Sequence, residues 1–391
     1  MAVVDSQVQG AVLAAPPLAG AARAAPRSAW LFNPWVDFFC LGGGSFLVLM
    51  ALLLLAPTPA LQVDFAFWAL LVAHVVNHPH FAHSYQIFYG GFRDKAFGRT
   101  FEPALRRRYV FAGIVVPSLL AGYLAGAILL GNAEALGYAG NAMFFLVGWH
   151  YVKQGYGMAM LDAVLKKRFY SAGEKRILLW NGYASWLLSW LLANRVVHEF
   201  DYWGLAYYSF AAPQWLIDLS LAVAIGTAAA FLLMVFLKGR REGWRLPWNG
   251  LLGYAASLYG WLLVARISPL FVLFVPAFHS LQYLVVVWRY QLNRAKAAPD
   301  ARDRPAGSLL PSVAALRLVL FLALGILLGW LGFWGLPEWL NGAVDYDRTL
   351  FGPAVFLFVF WIFINVHHYF LDSVMWRREN PETRRFLFGA K

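Results

Sequence analysis

Ten runs of about 20 predominantly apolar residues constrain the fold of this chain more than any other feature of its sequence. A helix of that length crosses the hydrocarbon of a bilayer, because each residue advances it by about 1.5 Å. Such runs, separated by short polar loops, predict an all-α polytopic membrane bundle of ten transmembrane helices. The predicted spans are 36–57, 62–85, 108–131, 135–162, 177–197, 214–237, 249–266, 268–289, 312–334 and 351–375.

Composition excludes the soluble alternatives. Charged residues make up 13% of the chain and apolar residues 61%, whereas about a quarter of the residues of a soluble protein are charged. The single cysteine, Cys40, excludes an intrachain disulfide and a cysteine metal cage. The net charge of +12 is carried by short loops between apolar runs, which is typical of membrane topology and not of nucleic-acid binding.

The distribution of charge predicts the orientation in the membrane. Basic residues lie mainly in every second loop and after the last span, and the intervening loops are neutral or acidic. Because positive loops stay in the cytoplasm, both chain ends are expected there (N-in and C-in). We divide the chain into a flexible Ala/Pro-rich tail at 1–29, a transmembrane helical domain at 30–376 and a basic cytoplasmic tail at 377–391. The stretch 200–213 is too short to span and is expected to lie flat on the outer surface or to dip back into the membrane.

Eight of the nine histidines fall inside predicted spans. They lie on the second, fourth, eighth and tenth spans, which all run from outside to inside, so their depths can be compared directly. Helix rise places one histidine of each span roughly 16–24 Å below the outer surface. Polar groups in hydrocarbon are costly and tend to be functional, and imidazole suits iron, zinc and copper. The sequence therefore predicts an intramembrane metal site, with candidate ligands His74, His78, His80, His83, His150, His279, His367 and His368.

Local spacing refines this set. His74 and His78 lie one turn apart on one helix face. Pro79 is expected to break that helix, so that the two histidines after it can turn towards the same centre. The adjacent His367 and His368 point about 100° apart, so at most one of them binds a given metal easily.

Polar residues near these histidines are candidates for catalysis or for hydrogen bonds to the metal-bound imidazoles. Such imidazoles usually donate their second N–H to a carboxylate or a carbonyl oxygen. The candidates are Gln154, Gln282, Tyr283, Asn365 and Asp372.

Four histidine segments carry a resemblance to a known family. They are Pro79-His80-Phe81-Ala82-His83, Trp149-His150-Tyr151, Phe278-His279-Ser280-Leu281-Gln282-Tyr283 and His367-His368-Tyr369-Phe370-Leu371-Asp372. Their order and composition resemble the bacterial Brp/Blh family of β-carotene-cleaving dioxygenases, membrane enzymes that hold one non-haem iron with four histidines. The resemblance implies His80, His150, His279 and His367 as the iron ligands, and a bacterial inner membrane as the location. The sequence departs from the family at Tyr283, where the family has a second histidine, and its surplus histidines leave a two-metal centre open.

These features favour an oxidoreductase, namely a non-haem iron oxygenase or dioxygenase with one or two irons. Its expected substrate is lipid-soluble (a carotenoid, an isoprenoid or an acyl chain), and its other expected partners are O₂ and membrane lipids. A di-iron centre would add an electron-donor protein, and no nucleic acid is expected. Two alternatives stay open. One is a haem-binding membrane electron carrier, since four helices carry mid-membrane histidines; the other is a metal or proton-coupled transporter.

Overall fold

The computed structural model describes residues 29–55, 58–197, 199–202, 205–263, 269–297 and 313–388, and these are almost entirely helical. Most of the predicted N-terminal tail and the ninth histidine, His198, lie outside the described residues. In chain order the helices are α1 (Pro34–Leu55), α2 (Pro59–Tyr89), α3 (Phe92–Ala96), α4 (Pro103–Leu129), α5 (Ala133–Leu165), α6 (Ala172–Ala193), α7 (Gln214–Arg241), α8 (Trp248–Ala255, continued by a π turn at Ala256–Gly260), α9 (Pro269–Lys296), α10 (Val313–Trp330, continued by a π turn at Leu331–Gly335 and by Leu336–Ala343), α11 (Arg348–Phe351), α12 (Val355–Met375) and α13 (Pro381–Phe388).

Seven of the described helices are long and apolar enough to cross a membrane: α1, α2, α4, α7, α9, α10 and α12. This confirms the predicted helical class and indicates an integral membrane protein. The other three predicted spans fall on α5, α6 and α8, which are not among the seven. Ten spans with both ends in the cytoplasm therefore stay a prediction.

Polar caps fix where several helices begin. The Asn33 side chain accepts hydrogen bonds from the backbone N–H groups of Trp35 and Val36 at the start of α1. Ser171 and Glu174 form a reciprocal capping box at the start of α6. The first N–H groups of a helix have no partner inside it, so each such cap stabilises the helix by about 1 kcal/mol.

Three helices contain a π turn just before a proline: α2 before Pro79, α4 before Pro117 and α10 before Pro337. Proline lacks an N–H and its ring clashes with the carbonyl four residues earlier, so the preceding turn widens. In α4 the released carbonyl of Gly113 accepts a hydrogen bond from Tyr89 Oη at 2.8 Å. The expectation that Pro79 breaks its helix is corrected, because α2 continues through Pro79 to Tyr89.

Four helices surround the centre of the bundle. Helix α12 packs against α2 and α5, and α9 packs against α2. Gln154 Nε2 on α5 donates to the carbonyl of His279 on α9 at 2.9 Å. Helix α10 lies against α2, and Gly325 and Gly329 allow the two to approach closely. The four helices that carry the predicted histidines therefore meet, and α10 covers one of them.

Two smaller elements complete the described fold. Strands β1 (Glu199–Tyr202) and β2 (Leu205–Tyr208) pair antiparallel within the stretch expected at the outer surface. Asn141 on α5 holds this hairpin by donating to the carbonyl of Tyr208 at 2.8 Å. The C-terminal segment, expected to be a tail, contains α13, which packs against α9 and is tied to α3 by a Lys95–Glu382 ion pair of 3.0 Å.

Candidate metal centre

Four histidines from four helices meet inside the bundle: His80 on α2, His150 on α5, His279 on α9 and His368 on α12. Each is at most 4% exposed. Their ring centroids form a cycle with separations of 5.1 Å from His80 to His279, 5.0 Å on to His150, 5.0 Å on to His368 and 4.4 Å back to His80. Four segments that lie far apart in the sequence thus converge, and they are on the four helices that carry the predicted histidines.

This group can hold a metal ion. One nitrogen of each ring lies within 4.8 Å of the others. Metal–nitrogen bonds of about 2.1 Å in a tetrahedral site place the ligand atoms about 3.4 Å apart, so the separations must shorten by at most about 1.4 Å to close the group on one ion. Among the described residues, no hydrogen-bond partner reaches His80 Nε2, His150 Nε2, His279 Nδ1 or either nitrogen of His368. Buried polar atoms rarely lack a partner, and a bound metal would supply one.

The His80 ring is oriented by a hydrogen bond from α2 to α9. Ser280 Oγ donates to Asn77 Oδ1 at 2.9 Å and lies 3.1 Å from His80 Nδ1. A hydroxyl has one proton to donate, so Ser280 accepts the Nδ1–H of His80. His80 Nε2 therefore carries the lone pair, as a metal ligand must. Neither Ser280 nor Asn77 is a candidate from the sequence, because the contact joins residues 203 positions apart.

A carboxylate borders the four rings. Asp372 Oδ2 lies 3.4 Å from His368 Nε2 and 4.0 Å from His150 Nε2. Its other oxygen, Oδ1, accepts hydrogen bonds from Tyr283 Oη at 3.1 Å and Ser84 Oγ at 3.3 Å. Among the described residues, the only side chains that form ion pairs with Asp372 are these two imidazoles. A buried carboxylate without a cation is costly, so a metal ion fits its charge as well as the free nitrogens.

His367 lies apart from this group, although the family resemblance implies it as a ligand. Its Nε2 lies 3.0 Å from the carbonyl oxygen of Ala112 and its Nδ1 2.9 Å from Tyr85 Oη. A carbonyl only accepts, so Nε2 carries the proton and Nδ1 accepts from the tyrosine. Neither nitrogen is free for a metal, and the neighbouring His368 joins the group instead.

Three further candidate ligands face α10 and not the centre. His74 stacks on Trp334 with ring centroids 5.7 Å apart. His78 stacks on Phe333 at 4.6 Å. His83 stacks on Phe321 at 4.2 Å, and its Nδ1 lies 2.7 Å from Gln86 Oε1. His74 and His78 do share one face, as their spacing predicted, but that face packs against a neighbouring helix.

Three of the other polar candidates are linked to the imidazoles through other groups: Gln154, Gln282 and Asn365. Gln154 Nε2 donates to Gln282 Oε1 at 3.0 Å and to a backbone carbonyl, so the pair joins α5 to α9. Asn365 Oδ1 accepts from Tyr369 Oη at 3.1 Å. Tyr369 in turn stacks on His150, with ring centroids 4.5 Å apart. Of the five candidates, two contact the imidazoles directly. Asp372 does so with its carboxylate, and Tyr283 lies against His80 with ring centroids 4.6 Å apart and donates to that carboxylate.

Aromatic rings enclose the rest of the centre. Tyr151 lies 4.4 Å from His279 between ring centroids, and Phe81 lies 4.5 Å from His80 and 4.8 Å from His368. Both are at most 8% exposed. The centre is therefore dry and mostly apolar outside its donor atoms. Phe81 and Tyr151 each follow a group histidine directly in the sequence, which is the only signal that could have identified them.

Comparisons with protein-family models, with curated proteins and with solved structures found no match to this chain. The resemblance to the Brp/Blh family stays a prediction.

Proposed function

We propose that this protein is a membrane-embedded non-haem iron oxygenase that uses O₂ to oxidise an apolar, lipid-soluble substrate. The observation that carries the proposal is the convergence of four buried histidines, with unpartnered ring nitrogens, beside the Asp372 carboxylate. Imidazole and carboxylate donors suit iron among the redox-active metals. When bound, the iron would supply the chemistry that activates O₂.

The surroundings of the centre support an apolar substrate. Three of the four group histidines lie on helices apolar enough to cross a membrane, namely α2, α9 and α12. The walls next to the imidazoles are the rings of Phe81, Tyr151 and Tyr369. A bilayer dissolves both O₂ and hydrocarbon, so it can deliver both reactants to such a site. A carotenoid, an isoprenoid or an acyl chain meets these requirements.

Asp372, Tyr283 and Ser84 give the centre a place to hold a proton. Tyr283 Oη lies 2.5 Å from Ser84 Oγ, and both hydroxyls reach Asp372 Oδ1. The other oxygen of Asp372 faces two of the imidazoles. A proton can therefore pass between the phenol, the hydroxyl and the carboxylate without leaving the buried group.

The geometry is less suited to the alternatives. Histidines that bind a haem iron stand on opposite faces of a macrocycle, whereas neighbouring rings here lie 4.4–5.1 Å apart around one point. A metal transporter is supported by one feature, the buried carboxylate of Asp372. A metal transporter would carry metal into protein-containing vesicles, whereas an oxygenase would not.

Oxygen consumption tests the proposal. The protein is loaded with ferrous iron in vesicles that contain lipids extracted from the host membrane, and O₂ uptake is followed with an electrode. Products are analysed by mass spectrometry with isotopically labelled O₂. We expect label in an apolar product for the wild type and for His83→Ala, and no label for His150→Ala. Equal O₂ uptake and labelling in the His150→Ala protein would contradict the proposal.

A further inference from the structure

The metal centre is closed in this conformation, so a hydrocarbon substrate must displace a side chain to reach it. The thickness of the wall differs between directions. The most apolar stretch of the helix is 67% buried inside the protein in α12 and 61% in α9, but only 11% in α10 and 6% in α2. Helices α2 and α10 therefore lie at the outside of the bundle, and on the α10 side a single, largely exposed helix covers the histidine-bearing half of α2.

Two phenylalanines connect that lipid face with the centre. Phe81 on α2 contacts the rings of His80 and His368 on its inner side. On its outer side it lies 5.1 Å from the ring of Phe333 on α10. Phe81 is 5% exposed and Phe333 is half-buried. These two rings therefore form a continuous path of contacts from α10 to two group histidines.

Helix α10 packs tightly against α2 before Phe333, but its backbone hydrogen bonding is weakened at Phe333. A methyl group on Gly325 would overlap His83, and one on Gly329 would overlap His78. These glycines therefore allow α10 to pack tightly against α2. Phe333 instead lies in the π turn Leu331–Gly335, and Pro337 cannot donate to its carbonyl. Local movement of the Phe333 segment is therefore possible while the rest of α10 stays in place.

We propose that Phe81 and Phe333 form a lateral entrance from the bilayer to the metal centre and determine which hydrocarbon chains reach it. The proposal rests on the oxygenase function proposed above and adds to it the nature of the reacting group. The two rings of the entrance are purely apolar, so a hydrocarbon segment enters while any polar head group remains at the membrane surface. The reacting bond accordingly lies within a hydrocarbon chain and not beside a head group.

Photolabelling tests the entrance without relying on activity. The full chain is placed in phosphatidylcholine vesicles with a long-chain alkane that carries a terminal diazirine. After illumination, the labelled residues are mapped by mass spectrometry. In the wild type we expect label on Phe81 as well as on the outer face of α10. Label on the outer face of α10 with none on Phe81 would overturn the proposal.

Variants sharpen the test. Phe333→Trp enlarges the outer ring, so we expect loss of the Phe81 label with the outer label retained. Phe333→Ala should instead increase the Phe81 label. Phe356→Trp, at another half-buried phenylalanine on α12, is the matched control and should change nothing. A Phe81 label that is the same in all four proteins would overturn the entrance.

Metal content, measured on the same samples, keeps the two proposals distinguishable. If the Phe333 variants change the labelling of Phe81 but the protein binds no metal, the entrance is supported and the oxygenase is rejected. Bound iron with Phe81 never labelled supports the metal centre and rejects the entrance.

Discussion

Replacing Asp372 with asparagine keeps the shape of the side chain and removes its charge. The carboxylate oxygen lies 3.4 Å from His368 Nε2 and 4.0 Å from His150 Nε2, so it acts on two group imidazoles at once. Loss of a carboxylate partner from metal-binding histidines typically lowers metal affinity about 10–100-fold. That corresponds to about 1.4–2.8 kcal/mol of binding free energy.

The same substitution should act with the opposite sign in the metal-free protein. There the buried carboxylate has no cation, so Asp372→Asn is expected to raise the unfolding temperature of the apo form. In the metal-loaded protein it should lower that temperature, because less binding free energy stabilises the fold.

Chelator competition measures the affinity, and thermal unfolding in detergent measures the stability of both forms. Asp162→Asn is the matched control, since Asp162 is also buried, at 1% exposed, but pairs with Lys166 at 2.9 Å. It should lower stability with and without metal and leave metal affinity unchanged. Equal metal affinity of Asp372→Asn and the wild type would refute the role of Asp372 at the centre.

Three further outcomes are expected. His367→Ala should retain bound metal, but its free energy of unfolding should fall by about 1–3 kcal/mol for each buried partner left without a hydrogen bond. Thermal unfolding and metal analysis together check this, and loss of metal would contradict it. Gly325→Ala should destabilise the protein by about 1–3 kcal/mol, because the new methyl group overlaps a histidine ring of α2, whereas Gly122→Ala meets no atom within 4 Å and should be tolerated. Single-cysteine variants without Cys40 test the topology. Glu134→Cys should react with an impermeant thiol reagent in intact cells, and Lys175→Cys should react only after permeabilisation. The reverse pattern would reject the predicted topology.

Much of the architecture could be predicted because it depends on chain-local properties. The apolar runs predict the helices, and counting residues from the helix ends places His150 and His279 within about 8 Å of each other in depth. Depth along a helix accumulates little error, since each residue adds a fixed rise. Similar depth is necessary for four helices to share one group of histidines, but the contacts between the helices decide whether they meet.

The direction in which a side chain points was harder to predict. His367 and His368 are neighbours, and the choice between them depends on what each meets. The π turn of α4 places the carbonyl of Ala112 within reach of His367 Nε2 at 3.0 Å, while His368 turns to the centre. No pattern in the last span alone indicates a partner 255 positions away.

The surplus histidines of α2 illustrate a second limit. His74, His78 and His83 look like ligands because polar rings in a membrane helix are costly. Each of them instead stacks on an aromatic ring of α10. Only the position of α10, which the sequence of α2 does not determine, distinguishes a packing histidine from a ligand. Among the described residues, only the four histidines of the centre lie close enough together to hold a metal ion.

Metal content of two adjacent variants tests the central claim most directly. Wild type, His368→Ala and His367→Ala are purified in parallel without chelators, and bound metal per chain is measured by inductively coupled plasma mass spectrometry. We predict one iron per chain in the wild type and in His367→Ala, and none in His368→Ala. Full metal occupancy in His368→Ala, together with loss in His367→Ala, would contradict the metal centre described by the structure.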